Sequence, residues 1–233
     1  MSQPKVLFVL SSHNKLGNTG HPTGWYLPEL AHPYDVLAPH AEIIIASPAG
    51  GEAPLDPSSV EATKDDKASV DFLNNKQSLW KNTEKLSNFV GRAKEFDAIF
   101  YVGGHGPMFD LATDETSHQI IREFWESDKI VSAVCHGPAA LTQAKLSDGS
   151  YLVKGSAVTG FSNAEEDAVN LTAAMPFKLE DELNKNSGGL FEKASEPWAE
   201  KVVVSKNGRL VTGQNPASAT GVGKALLKAL SAK

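Results

Sequence analysis

KIVSAVCHGPAAL, residues 129–141, decides the fold. An apolar, β-branched run ends on Cys135, and His136-Gly137-Pro138 turn into a helical pattern, so the stretch reads as strand, tight turn and helix. Such a turn presents a nucleophile at the carboxyl end of a parallel strand, in the manner of the G-x-S-x-G elbow. The helix N-terminus behind it is expected to carry partial positive charge and free N–H groups, which lower a thiol pKa and favour the thiolate. A lone Cys is more often an inert buried residue. A core thiol, however, has no need of an adjacent His-Gly-Pro turn, and the catalytic reading is preferred.

Outward from this elbow, short β-rich runs alternate with helical patterns, which argues for βαβ units. Strands are predicted at 5–11, 43–47, 98–102 and 130–134, with 157–159 next. Their near-continuous apolar character fits strands covered on both faces, hence an open, mostly parallel α/β sheet with helices on both sides. The runs 202–204 and 210–212, separated by SKNGR, predict a hairpin, since Asn-Gly favours the primed turns. In the final stretch NPASATGVGKALLKALSAK, Asn215 suits an N-cap and Pro216 the first helical position. Two segments depart from the repeat. The polar, Pro-rich 50–82 reads as an insertion with a helix and loops, and 167–198, with PFKLEDELNK followed by SGG, as a lid. All of this is assigned to one domain, 1–233.

A chain of 233 residues suits one large α/β domain. Its net charge of -6, with Lys and Arg scattered, leaves no basic stripe, which argues against nucleic acid as the primary partner. The single Cys rules out an internal disulfide and a Cys-based metal cluster, and suits a reducing compartment. In MSQPKVLFVLSS the apolar run 6–10 is too short for a secretory or membrane-spanning segment. The terminal SAK carries no retention or lipidation signal. These readings predict a cytoplasmic protein with no membrane partner.

A second chemical signal is FYVGGHGPMFD, residues 100–110. Its glycines allow backbone N–H groups to approach a ligand. Beside the Cys135 turn, the Gly104 and His136 amides could form an oxyanion hole. His105 either contacts the ligand or caps the loop. Glu29 in TGWYLPELAHP, and Glu165 or Glu166 in TGFSNAEEDAV, each follow a predicted strand end, where a solvated helix face is the default. No H-x-x-x-H and no His/Asp cluster at ligand spacing is present, and four of the seven His lie in the first forty residues, so no metal site is expected.

Taken together, these motifs resemble the DJ-1/PfpI superfamily, in particular its heat-shock-protein-31-like branch with the glutathione-independent glyoxalases (glyoxalase III). The likeness runs from KVLFVLSS and TGWYLPELAHPY through FYVGGHGPMFDL and VSAVCHGPAAL to AVTGFSNAEEDAV and GRLVTGQNPASA. It implies a flavodoxin-like, class I glutamine amidotransferase-like fold and a homodimer, in the cytoplasm and also the nucleus. It makes Cys135 the nucleophile, His136 its base, Glu29 the acid that hydrogen-bonds the cysteine, and Glu166, counted from Gly160, the acid partner of His136. The substrate implied is a small 2-oxoaldehyde, methylglyoxal or glyoxal, converted to D-lactate in the methylglyoxal case by D-lactate dehydratase chemistry run in reverse. No glutathione, metal or organic cofactor is implied. Competing readings are a cysteine hydrolase (peptidase or amidase) on the same elbow, a protein or nucleotide deglycase, and a holding chaperone independent of Cys135.

Overall fold

The computed structural model describes residues 3–232; the first two residues of MSQPKVLFVLSS and the last of SAK lie outside it. Seven strands form one sheet in the order β3-β2-β1-β4-β5-β7-β6. They are β1 (Lys5–Val9), β2 (Glu42–Ser47), β3 (Glu84–Lys85), β4 (Ala98–Tyr101), β5 (Ile130–Val134), β6 (Val202–Ser205) and β7 (Leu210–Gly213). All neighbours pair in parallel except β6 with β7. Every residue of β4 and β5 is buried. Since successive side chains point to opposite faces, both faces of the sheet centre are covered. This is the open, mostly parallel arrangement expected.

The helices are α1 (Leu27–Leu37), α2 (Pro57–Ala62), α3 (Lys67–Asn75), α4 (Gln77–Lys81), α5 (Glu115–Glu126), α6 (Ala139–Thr142), α7 (Asn163–Ala168), α8 (Leu179–Ser187) and α9 (Ala219–Ser231). The segment 50–82 holds three of them, α2, α3 and α4, where one was expected. α2 and α3 start on Asp caps, Asp56 and Asp66, whose carboxylates accept backbone N–H groups. α1 packs on α9, and α9 on β5 and β7, while α5 covers β4 and β5.

Several local expectations are corrected. Residues 157–159 form no strand; Val158 makes only an isolated bridge to Phe191. β3 was not foreseen, being a two-residue, exposed edge pairing with Ala46 and Ser47. The hairpin between β6 and β7 is real, but its turn is a 3-10 loop with positive φ at Lys206, Asn207 and Gly208, longer than a two-residue primed turn. Pro216 opens a 3-10 turn, Pro216–Ser218, ahead of α9, and the Asn215 side chain does not cap it. Instead, Asn215 Nδ2 reaches Glu165 and the Ala199 carbonyl.

Chain order reverses between β1 and β4: β2 lies on one side of that pair and β5 on the other. Open α/β sheets bind ligands in the crevice beyond such a switch point. The loops after β1, β4 and β5 converge there.

Candidate active site

Cys135 follows β5 with φ +60, a left-handed backbone rarely adopted by a residue with a Cβ, costing roughly 1–3 kcal/mol. Hydrogen bonds on both sides hold it: its N–H donates to Gly213 O at 2.9 Å and its carbonyl accepts from Phe161 N at 2.9 Å. The elbow predicted at 129–141 is thus present. The helix behind it is not the expected one. Residues 135–138 are a turn and α6 spans only Ala139–Thr142, too short to build a strong macrodipole. Burial, followed by the neighbouring Glu29, pushes the Cys135 thiol well up. These two influences oppose the lowering expected from a helix N-terminus.

His136 lies next door. His136 Nδ1 is 3.6 Å from Cys135 Sγ, and His136 Nε2 is 2.6 Å from Glu166 Oε2. With Nε2–H donating to the carboxylate, Nδ1 presents its lone pair to sulfur. Burial and His105 lower the His136 pKa, keeping the ring neutral. Glu166 is also held by His105, whose Nε2 lies 2.8 Å from Oε1, and the two imidazole rings are tilted at 40° with centroids 4.2 Å apart. Burial alone would raise the Glu166 pKa; the two histidines instead hold its carboxyl well below the usual range.

Of the two adjacent glutamates, Glu166 meets His136, whereas Glu165 faces away. The buried Glu165 carboxylate accepts from Ser162 N and Oγ, Trp198 N, Gln214 Nε2 and Asn215 Nδ2, all at 2.9–3.0 Å. It closes a capping box with Ser162 at the start of α7. The default of a solvated face fails for both glutamates and for Glu29, all of which are buried.

Glu29 sits in the first turn of α1, and its carboxyl shares the space over Gly103 with Cys135. Neither of its oxygens meets hydrogen-bond geometry with a partner among the described residues. Its pKa rises to about 8, driven by burial against opposing help from the Cys135 thiol and the Gly103 and Gly104 amides. Gly103 is required here: a Cβ would fall 2.0 Å from Glu29 Oε2 and 2.8 Å from Cys135 Cβ. Gly104 follows with φ +96, its Cβ position blocked by Gly24 O. The His136 N–H donates to no acceptor with hydrogen-bond geometry among the described residues, and the Gly104 N–H leans towards Glu29 without reaching that geometry.

Glu29, Gly104, His105, Cys135 and His136 line one cavity of about 420 Å³, whose wall does not include Glu166, the carboxyl bonded to both histidines. Tyr26, Phe161 and Trp198 line it too, and sequence reasoning missed all three. Tyr26 sits in the quoted TGWYLPEL, and burial, Glu29 and Cys135 push its phenol up, so the hydroxyl stays a donor. Ligand spacing that is absent along the sequence arises in three dimensions. His105, His136 and Glu166, distant in sequence, bring potential ligand atoms within 4.8 Å of one another, although both Nε2 atoms already engage the carboxylate.

The chain belongs to the DJ-1/PfpI family, whose model matches residues 28–229. Among its relatives, "Glyoxalase 3" of Candida albicans is 32% identical over 92% of this chain and 93% of that protein. The crystal structure of glyoxalase III from Candida albicans matches with a TM-score of 0.85 and 28% identity, covering 97% of both chains. The Francisella tularensis Rapid Encystment Protein 24 KDa matches with a TM-score of 0.90 and 38% identity, covering 97% of this chain and 99% of that one. No helix among the described residues is long and apolar enough to cross a membrane.

Proposed function

We propose that this protein is a cysteine-dependent, glutathione-independent glyoxalase, a lyase that converts methylglyoxal to D-lactate. The observation that carries the reading is the Cys135–His136–Glu166 line, with the buried Glu29 carboxyl also reaching the cysteine. The similarity to glyoxalase 3 supports the substrate class.

His136 Nδ1 takes the thiol proton as Sγ bonds to the aldehyde carbon of methylglyoxal. The hemithioacetal oxygen then lies against the amides of Gly104 and His136. Glu29, ionising near 8, is close enough to neutrality to act as a base. In its ionised form it removes the former aldehyde hydrogen to give the enediolate; it returns that proton to the neighbouring carbon while His136 delivers the thiol proton to that carbon's oxygen, giving a lactoyl thioester and a neutral imidazole. Water deprotonated by His136, with Glu166 fixing the ring, cleaves the thioester and restores the thiol. Every proton is returned and no external reductant or thiol is consumed. The segment 167–198 covers the pocket, contributing Val169, Leu171 and Trp198 to its wall, and the chain acts as one domain within a homodimer.

Incubating pure protein with methylglyoxal in the absence of glutathione, with chiral detection of lactate, tests the reading. D-lactate at a rate proportional to enzyme is expected; none, or a racemate matching the uncatalysed control, overturns it.

A further inference from the structure

Methylglyoxal carries only a methyl group beyond its two carbonyls, yet the cavity over Cys135 measures about 420 Å³, within the range that holds far larger ligands. Its wall is not arbitrary. The His136 ring lies 4.3 Å from Phe161, and Phe161 meets Trp198 edge-on at 5.5 Å, so an aromatic ladder climbs from the reacting centre to the rim. Leu16, Val169 and Leu171 add aliphatic surface to the same cavity. Trp198 is 44% exposed, unusual for so large an apolar ring. It is held there by a left-handed backbone with φ +67 and by its N–H on buried Glu165. Among the described residues no Lys or Arg lines this cavity, while Glu29 and Asp56 do. A phosphate or carboxylate on the substrate would meet no cation.

On the basis of the glyoxalase reading, we infer that the preferred substrates are 2-oxoaldehydes bearing a bulky, uncharged apolar substituent, which lies along the Phe161–Trp198 ladder while the dicarbonyl end sits on Cys135. The substituent takes the place of water against Trp198 and Leu171, and the chemistry at the dicarbonyl is unchanged.

The test is a straight-chain series from methylglyoxal to 2-oxoheptanal, plus one member with a terminal carboxylate, each assayed for its 2-hydroxy acid. Burial of each added methylene is expected to raise kcat/KM by about threefold, chiefly through KM, so that 2-oxoheptanal exceeds methylglyoxal by at least about tenfold. The carboxylate-bearing member should fall below methylglyoxal. Trp198→Ala and, separately, Leu171→Ala should flatten the dependence on chain length. A flat or falling series in the unaltered protein, or a slope kept in both variants, overturns the inference while leaving the glyoxalase reading intact. No turnover of any member removes that reading and this inference with it.

Discussion

Cys135 is served by two buried carboxyl groups that have been given opposite characters. Glu166, on the α7 side, is gripped by two imidazoles and stays charged. Glu29, on the α1 side, meets only a thiol and two glycine amides at imperfect geometry, and holds its proton to about pH 8. The same functional group thus serves as a fixed anion on one side and a mobile proton carrier on the other. The difference lies in the neighbours, as in other sites that assign separate roles to paired carboxyls. A histidine partner fixes the charge, whereas burial with only weak donors leaves the proton exchangeable.

The comparison fails at once if the sulfur is not the shared target. Cys135→Ala should abolish lactate formation, a loss of about 10³-fold or more, with the fold retained by circular dichroism. Persistent turnover would remove the reason for both carboxyls. Glu166→Gln comes next. It keeps a side chain of similar shape but loses the anion that orients His136, and kcat should fall about 10²–10³-fold. A loss confined to KM would instead place Glu166 in substrate binding.

Glu29→Gln sharpens the contrast by pH. In the unaltered enzyme kcat/KM should rise with pH and level near 8, where Glu29 becomes a base; the variant should lose roughly 10²-fold and this limb. Stability moves the other way. Between the ordinary carboxyl value of 4.5 and about 8, the folded chain keeps a proton that the unfolded chain has lost. Stability therefore falls as pH rises through that window, by at most about 1.4 kcal/mol per unit, and is unaffected by this group below it. Denaturant titrations from pH 5 to 8 should show Glu29→Gln flattening the slope. An unchanged slope would mean that Glu29 is not buried and neutral.

The smallest effect on chemistry is expected at Glu165. Glu165→Gln turns an acceptor of five hydrogen bonds into a group with one amide facing donors, so about 1–3 kcal/mol of stability should be lost. A lower melting temperature with kcat reduced far less than in Glu166→Gln separates the two neighbours. Equal losses of kcat would show that Glu165 acts on the reacting atoms as well.

How much of this was legible in the sequence follows from distance along the chain. The strand–Cys–turn unit is local, and apolar runs report buried parallel strands directly, so β1, β2, β4, β5 and the last hairpin could be read. β3 could not, because two exposed residues carry no periodicity. α6 was overestimated because apolar Ala-Ala-Leu continues a helical pattern that the structure ends after one turn. Family likeness supplied Glu29 and Glu166, but not their charge states. Those depend on His105 reaching Glu166 across 61 positions and on Gly103 leaving room for Glu29. Trp198 was invisible as a wall residue, since its place is set by a backbone bond to Glu165 33 residues away.

The convergence on Glu165 also has a consequence for local opening. Its carboxylate ties α7 to the amide of Trp198 and to Gln214 and Asn215 ahead of α9, so the rim cannot fray one strand of contact at a time. These segments should open as one cooperative unit, with a free energy below that of global unfolding. The Trp198 amide proton is the natural reporter of that unit. Its exchange with deuterium should track the frequency with which the pocket rim lifts, in molecules whose sheet remains fully protected.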